Sequence, residues 1–163
     1  MATFLVRCSV LVLLLLALSA TGVAQTNSAD SEFGPVVRAY LGYLRNEQEV
    51  VDDRASRHEV SSSYYRRNSN RIKALRQMAL RLARANNNDY LPELEAVAVD
   101  EFGLLFENPP PPSSLKVGAV LRNTFRFLGT VRSGSVFYLF ARLDPYEQAE
   151  MTEKSSATTK VPH

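Results

Sequence analysis

Cysteine, histidine and long hydrophobic runs are all scarce in this sequence, and each scarcity removes a class of chemistry. One cysteine, Cys8, and two histidines, His58 and His163, occur in 163 residues. Cys8 lies in an N-terminal segment expected to be cleaved away. The remainder then has no disulfide, no thiol nucleophile and no thiolate metal site. His58 has no His-Glu-x-x-His or related ligand spacing around it. On a continuous helix it points away from Asp52 and Asp53, and its heptad position predicts a half-buried core residue. The seven glycines are scattered, so no phosphate-cradling loop is present. The "RSGS" stretch, Arg132–Ser135, reads as a hairpin turn and not as a nucleophile elbow. No catalytic residue, cofactor or metal is therefore assigned. Carboxylate pairs, whose spacing is set by the fold, are the one catalytic arrangement left open. There is no Asn-x-Ser/Thr sequon, and no apolar run after residue 24 approaches the roughly 20 residues that cross a bilayer.

The N-terminus does carry one apolar run. In "MATFLVRCSVLVLLLLALSATGVAQT", Arg7 precedes an almost wholly apolar segment from Cys8 to Ala20, and Gly22-Val23-Ala24 follows with small residues. This is the three-part pattern of a secretory signal, with residues 1–24 removed and cleavage after Ala24. The expected location is the bacterial periplasm or the extracellular space, with no transmembrane span after cleavage. Polar residues 25–32 are expected to be disordered. The rest is long enough for one domain with a core of its own, 33–146, and a polar flexible tail, 147–163.

Hydrophobic periodicity predicts an α+β fold. Val36, Val37, Tyr40, Leu41 and Leu44 recur at helical spacing behind Pro35, and a second stripe runs through Tyr65, Ile72, Leu75, Met78, Ala79 and Leu82. Val37, Leu44, Val51, His58, Tyr65, Ile72 and Ala79 share one heptad phase, which permits a single long bent helix. Against that, Gln48, Ser62 and Ser69 make a poor seam, and Ser56 with Glu59 forms a capping-box pattern. The favoured reading of 33–88 is a helical hairpin broken between about 54 and 62. Residues 91–107 read equally as helix or strand. Pro109–Pro112 opens a stiff connector, 109–114, between this helical half and a β half, 115–143. The β half is a small antiparallel sheet built on a 123–143 hairpin. A two-residue turn at Ser133-Gly134 pairs Val131 with Val136, Gly129 with Tyr138 and Phe127 with Phe140. Both faces of that hairpin are apolar. One receives the helices; the other needs cover from 91–107 or from a second copy of the chain.

The net charge of +2 conceals segregation. Residues 54–84 hold nine basic groups against Glu59 alone, residues 89–107 hold six acids and no base, and residues 116–142 hold five bases and no acid. On a helical wheel Arg66, Arg67, Arg71, Lys73, Arg76, Arg81 and Arg84 spread around most of the non-apolar circumference, as a solvated face does. The acids Glu93, Glu95, Asp100, Glu101 and Glu107 are expected to meet much of that charge if the acidic segment packs alongside.

Two functions compete. The first is a non-enzymatic exported protein acting by protein–protein contact or as a homo-oligomer, with Phe137, Leu139 and Leu128 as the self-association surface. The second is a binder of anionic lipid or polysaccharide of the cell envelope through the helix at 64–84, with Arg66, Arg67, Arg71, Lys73 and Arg76 as contacts. Nucleic acid is not an expected partner, because export separates the protein from DNA and RNA.

Overall fold

The two amphipathic stripes form two helices, α1 (Pro35–Ser56) and α2 (Ser62–Asn86), which pack against each other as a hairpin. The computed structural model describes residues 30–86 and 88–159. The chain divides into two units, Met1–Ser31 and Glu32–His163, and every element named below belongs to the second. The expected signal peptide at 1–24 and the first part of the 25–32 segment lie outside the described residues.

The break between the helices is built by local chemistry. Beyond Ser56 the Glu59 N–H donates to the Arg54 carbonyl (2.9 Å) and the His58 N–H to the Ala55 carbonyl (3.0 Å), with His58 at φ 59°. This pair of bonds is the Schellman ending, which uses a left-handed residue just past the helix. His58 is therefore exposed in the turn, and the half-buried core position expected for it is corrected. The Ser56/Glu59 capping pattern is not used either: Ser56 Oγ donates back to Asp53 O (2.7 Å), and Ser61 Oγ caps α2 by accepting from the Tyr64 N–H (3.2 Å).

The N-terminus of α1 is capped from far away. The Val36 and Val37 N–H groups donate to the two carboxylate oxygens of Asp89, at 2.8 and 3.0 Å. Gly34 leaves the room: a Cβ there would stand 2.2 Å from the Asp89 carboxyl carbon.

After α2 come β1 (Glu93–Val97), a 3-10 turn (Val99–Glu101), the one-turn helix α3 (Phe102–Leu105) and a second 3-10 turn (Pro112–Ser114). Then follow β2 (Val120–Leu121), β3 (Phe125–Ser133), β4 (Ser135–Arg142) and α4 (Pro145–Thr159). The strands form one antiparallel sheet in the order β1-β4-β3-β2. The fold is α+β, two helices followed by a four-stranded sheet. Residues 91–107 are thus strand first and helix second. The β half begins at Glu93, before the prolines and not at 115, because β1 pairs with the last strand: Leu94 faces Ala141 and Ala96 faces Leu139.

The β3–β4 hairpin corrects the expected register. Ser133 faces Ser135 across Gly134, Val131 faces Phe137, and Gly129 faces Leu139. A bulge between Phe127 and Gly129 then shifts the ladder by one residue, restoring the Phe127–Phe140 pair. A one-residue slip turns every side chain to the other face, and a bulge undoes it. Val131 consequently joins the helix-facing core, while Phe125 and Phe127 point to the opposite side.

Each face has its own core. Beneath the helices lie Val37, Leu41, Ala74, Met78, Ala79 and Ala83, packed on Leu94, Ala96, Val131, Phe137 and Leu139. On the other face Phe102 and Phe106, from α3 and its exit, cover Val97, Phe125, Phe127 and Phe140. Their rings meet edge-on, with Phe102 on Tyr138 at 5.0 Å and 89°, and Phe106 on Phe140 at 5.4 Å and 72°. Such pairs add about 0.5–1.5 kcal/mol each beyond burial. The cover expected from 91–107 is therefore supplied by the chain itself.

The tail expected to be flexible from 147 forms a helix as far as Thr159; residues 160–163 lie outside the described residues. Asp144-Pro145-Tyr146-Glu147 starts α4 as a capping box. Asp144 Oδ1 accepts from the Tyr146 and Glu147 N–H groups (2.9 Å each), and Glu147 Oε2 accepts from Asp144 N (3.4 Å).

Candidate interaction surfaces

The basic residues of α2 sort into two groups once the acidic segment is in place. Arg67 and Arg71 face the turn between β1 and α3. Arg67 reaches Asp100 at 2.9 Å and Glu101 at 3.2 Å, and Arg71 pairs with the same Glu101 oxygen. The other oxygen of Glu101 accepts the Ala98 N–H at 2.9 Å. Burial pushes the Glu101 carboxyl up, but the Ala98 hydrogen bond and the two guanidiniums outweigh it and hold the group below its ordinary value. The Asp100 hydrogen bond, joined by the charges of Asp100 and Glu101, raises Arg67. Two cations and two carboxylates balance here, so the cluster clamps α2 to the cover of the aromatic core. Arg76 is half-buried and also engaged within the protein.

Arg66, Lys73 and Arg81 behave differently. All three are exposed, and among the described residues none has an ion-pair partner. Arg84, further along, is exposed and pairs with Glu32 at 3.0 Å while lying over the Phe33 ring. Of the five arginine and lysine contacts expected from the sequence, Arg66 and Lys73 remain open to a partner.

The expected self-association surface is corrected outright. Phe137 and Leu139 have 0% exposure, and Leu128 packs half-buried against the same core. The bulge and the helices bury Phe137 and Leu139 and leave Leu128 half-buried beside them. A different apolar surface is open instead. On α1, Val36, Tyr43 and Val50 are 50%, 54% and 53% exposed and lie seven residues apart. Tyr43 leans on Tyr40, their ring centroids 6.2 Å apart. Burial, together with Tyr43 and Glu95, pushes the Tyr40 phenol up to about 12, and burial and Glu47 raise Tyr43. This stripe was legible as a strict seven-residue spacing of large residues. The eye is drawn away from it by Val36 sitting beside the buried Val37.

A cleft of about 350 Å³ opens between the end of α2 and the start of α4, walled by Leu82, Tyr90 and Leu128, with Arg126 and Glu147 among its lining. Arg126 and Glu147 are already paired with each other at 2.8 Å. The His58 ring, exposed, stands 3.4 Å from the Ala55 carbonyl. Among the described residues, no group of three His, Cys, Asp or Glu side chains is placed to hold a metal ion, and no helix is long and apolar enough to cross a membrane. No protein-family model, curated protein or solved structure matches this chain.

Proposed function

We propose that the protein is an exported, non-catalytic binding protein that works by protein–protein contact, beginning with a second copy of itself. Export rests on the secretory pattern of the first 24 residues. The binding reading is supported above all by the Val36–Tyr43–Val50 stripe, three large hydrophobic residues left half in water on the open side of a helix that buries Val37, Leu41, Leu44 and Val51. Single exposed apolar residues are common, whereas an aligned set marks a contact surface. Seven residues of helix span about 10.5 Å, so the stripe repeats at the spacing at which helices pair. It is also symmetric about Tyr43. An antiparallel copy brings Val36 against Val50 and Tyr43 against its own counterpart, the self-complementary contact of a two-fold dimer.

Light scattering on the secreted form at tens of micromolar tests the reading. A dimer is expected, and Tyr43→Glu with Val50→Glu should return it to a monomer with unchanged circular dichroism. A monomer before any substitution would reject it.

A further inference from the structure

A second surface is carried by different observations on the other helix. We propose that the open face of α2 is a ridge for a linear anionic polysaccharide, read through the sulfate or carboxylate groups along one sugar chain. Subtracting the arginines already held by Asp100 and Glu101 changes the geometry of what remains. At 100° and 1.5 Å per residue, Arg66, Lys73 and Arg81 fall within an arc of about 80° and spread along about 22 Å. Gln77 lies between them on the same arc, and Arg84 closes the line. Gln77, Leu80, Arg81 and Arg84 border a shallow depression at the far end. The full set of basic residues wraps the helix; the unpaired Arg66, Lys73 and Arg81 form a row that ends at Arg84, itself paired with Glu32.

The row selects among anionic partners. Among the described residues, the exposed large hydrophobics lie elsewhere, with none between Arg66 and Arg84. A helix that lies in a lipid surface inserts apolar side chains among the headgroups, and this face has none to insert. Single-stranded nucleic acid is gripped by aromatic platforms as well as charge, and the ridge presents no exposed ring. A polysaccharide needs neither. Cations in a row, an amide at Gln77 for hydroxyl groups and a shallow trough suffice. The whole chain carries only +2, so any such attraction must come from local arrangement and not from overall charge.

The test uses heparin as the sulfated probe, alginate as the carboxylated one, and phosphatidylglycerol vesicles as the lipid arm. The protein should bind one or both polysaccharides at 50 mM salt and lose at least tenfold in affinity by 300 mM, as exposed charge pairs do when screened. Arg66→Glu, Lys73→Glu and Arg81→Glu together should cost at least tenfold. Lys116→Glu with Arg132→Glu, the same kind of charge reversal at exposed sites elsewhere, should cost less than twofold. Stronger binding to heparin than to alginate assigns sulfate, and the reverse assigns carboxylate. Failure to bind either polymer, equal losses in the two variants, or binding to the vesicles alone would overturn the proposal. The α1 variants that dissolve a dimer should leave heparin binding unchanged, so the two surfaces succeed or fail separately.

Discussion

The two faces of the sheet are filled by different means. The helix face is packed with alanine and aliphatic side chains around a single buried ring, Phe137. Ala74, Ala79, Ala83 and Ala96 let two long helices settle close over Val131, Phe137 and Leu139. The opposite face holds a cluster of phenylalanines beneath four residues of helix and the chain leading out of it. One side has extensive cover and a mixture of alanines with larger aliphatic residues and Phe137; the other is filled mainly by phenylalanine under scant cover. Aromatic rings make this asymmetry workable, because each fills a broad volume and meets its neighbours edge-on without needing a helix of its own.

Truncation on the aromatic side should break the comparison most severely. Phe140→Ala removes a fully buried ring that touches Phe102, Phe106, Phe125 and Phe127, and is expected to cost about 3–5 kcal/mol in urea unfolding. The helix side should fail by overfilling instead. Ala79→Leu adds bulk where α2 has no room and should cost about 1–3 kcal/mol by the same measurement. The clamp between the faces comes next. Glu101→Gln weakens the hold of Arg67 and Arg71 on the aromatic cover, for a loss of about 1–2 kcal/mol near neutral pH. Because the folded Glu101 carboxyl titrates below its unfolded value, its contribution is complete above roughly pH 4.3 and disappears as pH falls through the lower folded value. Stability of the wild type should therefore drop more steeply through acid than that of Glu101→Gln. The smallest effect lies outside both faces. His58→Gly relieves a left-handed residue in the interhelix turn and should raise stability by about 0.5–1 kcal/mol. A loss there would show that the His58 side chain matters more than its backbone angle.

Elements carried by local pattern were legible in the sequence. Helical spacing located α1 and α2, the polar seam located their break, and branched and aromatic runs located the β3–β4 hairpin with two apolar faces. Features that depend on distant partners were not. The strand at Glu93–Val97 takes its identity from pairing with β4, more than forty residues later. The bulge at Leu128 satisfies two cores that the strand cannot see in its own alternation. On the surface, segregation of charge foretold that Asp100 and Glu101 would meet the basic helix, whereas Glu93 and Glu95, expected there too, pair with Arg142 on β4. Which arginines they would meet, and so which would be left in a row, depended on how α2 turns against the sheet. The α4 capping box was the opposite case, a readable local signal at Asp144-Pro145-Tyr146-Glu147 overshadowed by the polar composition of the tail.

The cap on α1 has a consequence for how the molecule comes into being. A chain delivered N-terminus first, from a ribosome or through a translocation pore, presents Val36 long before the carboxylate 53 positions downstream that completes its first turn. Until Asp89 emerges, the leading helix has a frayed beginning. Its arrival fastens the start of the hairpin to its end, so the first helix of the pair is secured at its beginning only after the second is complete.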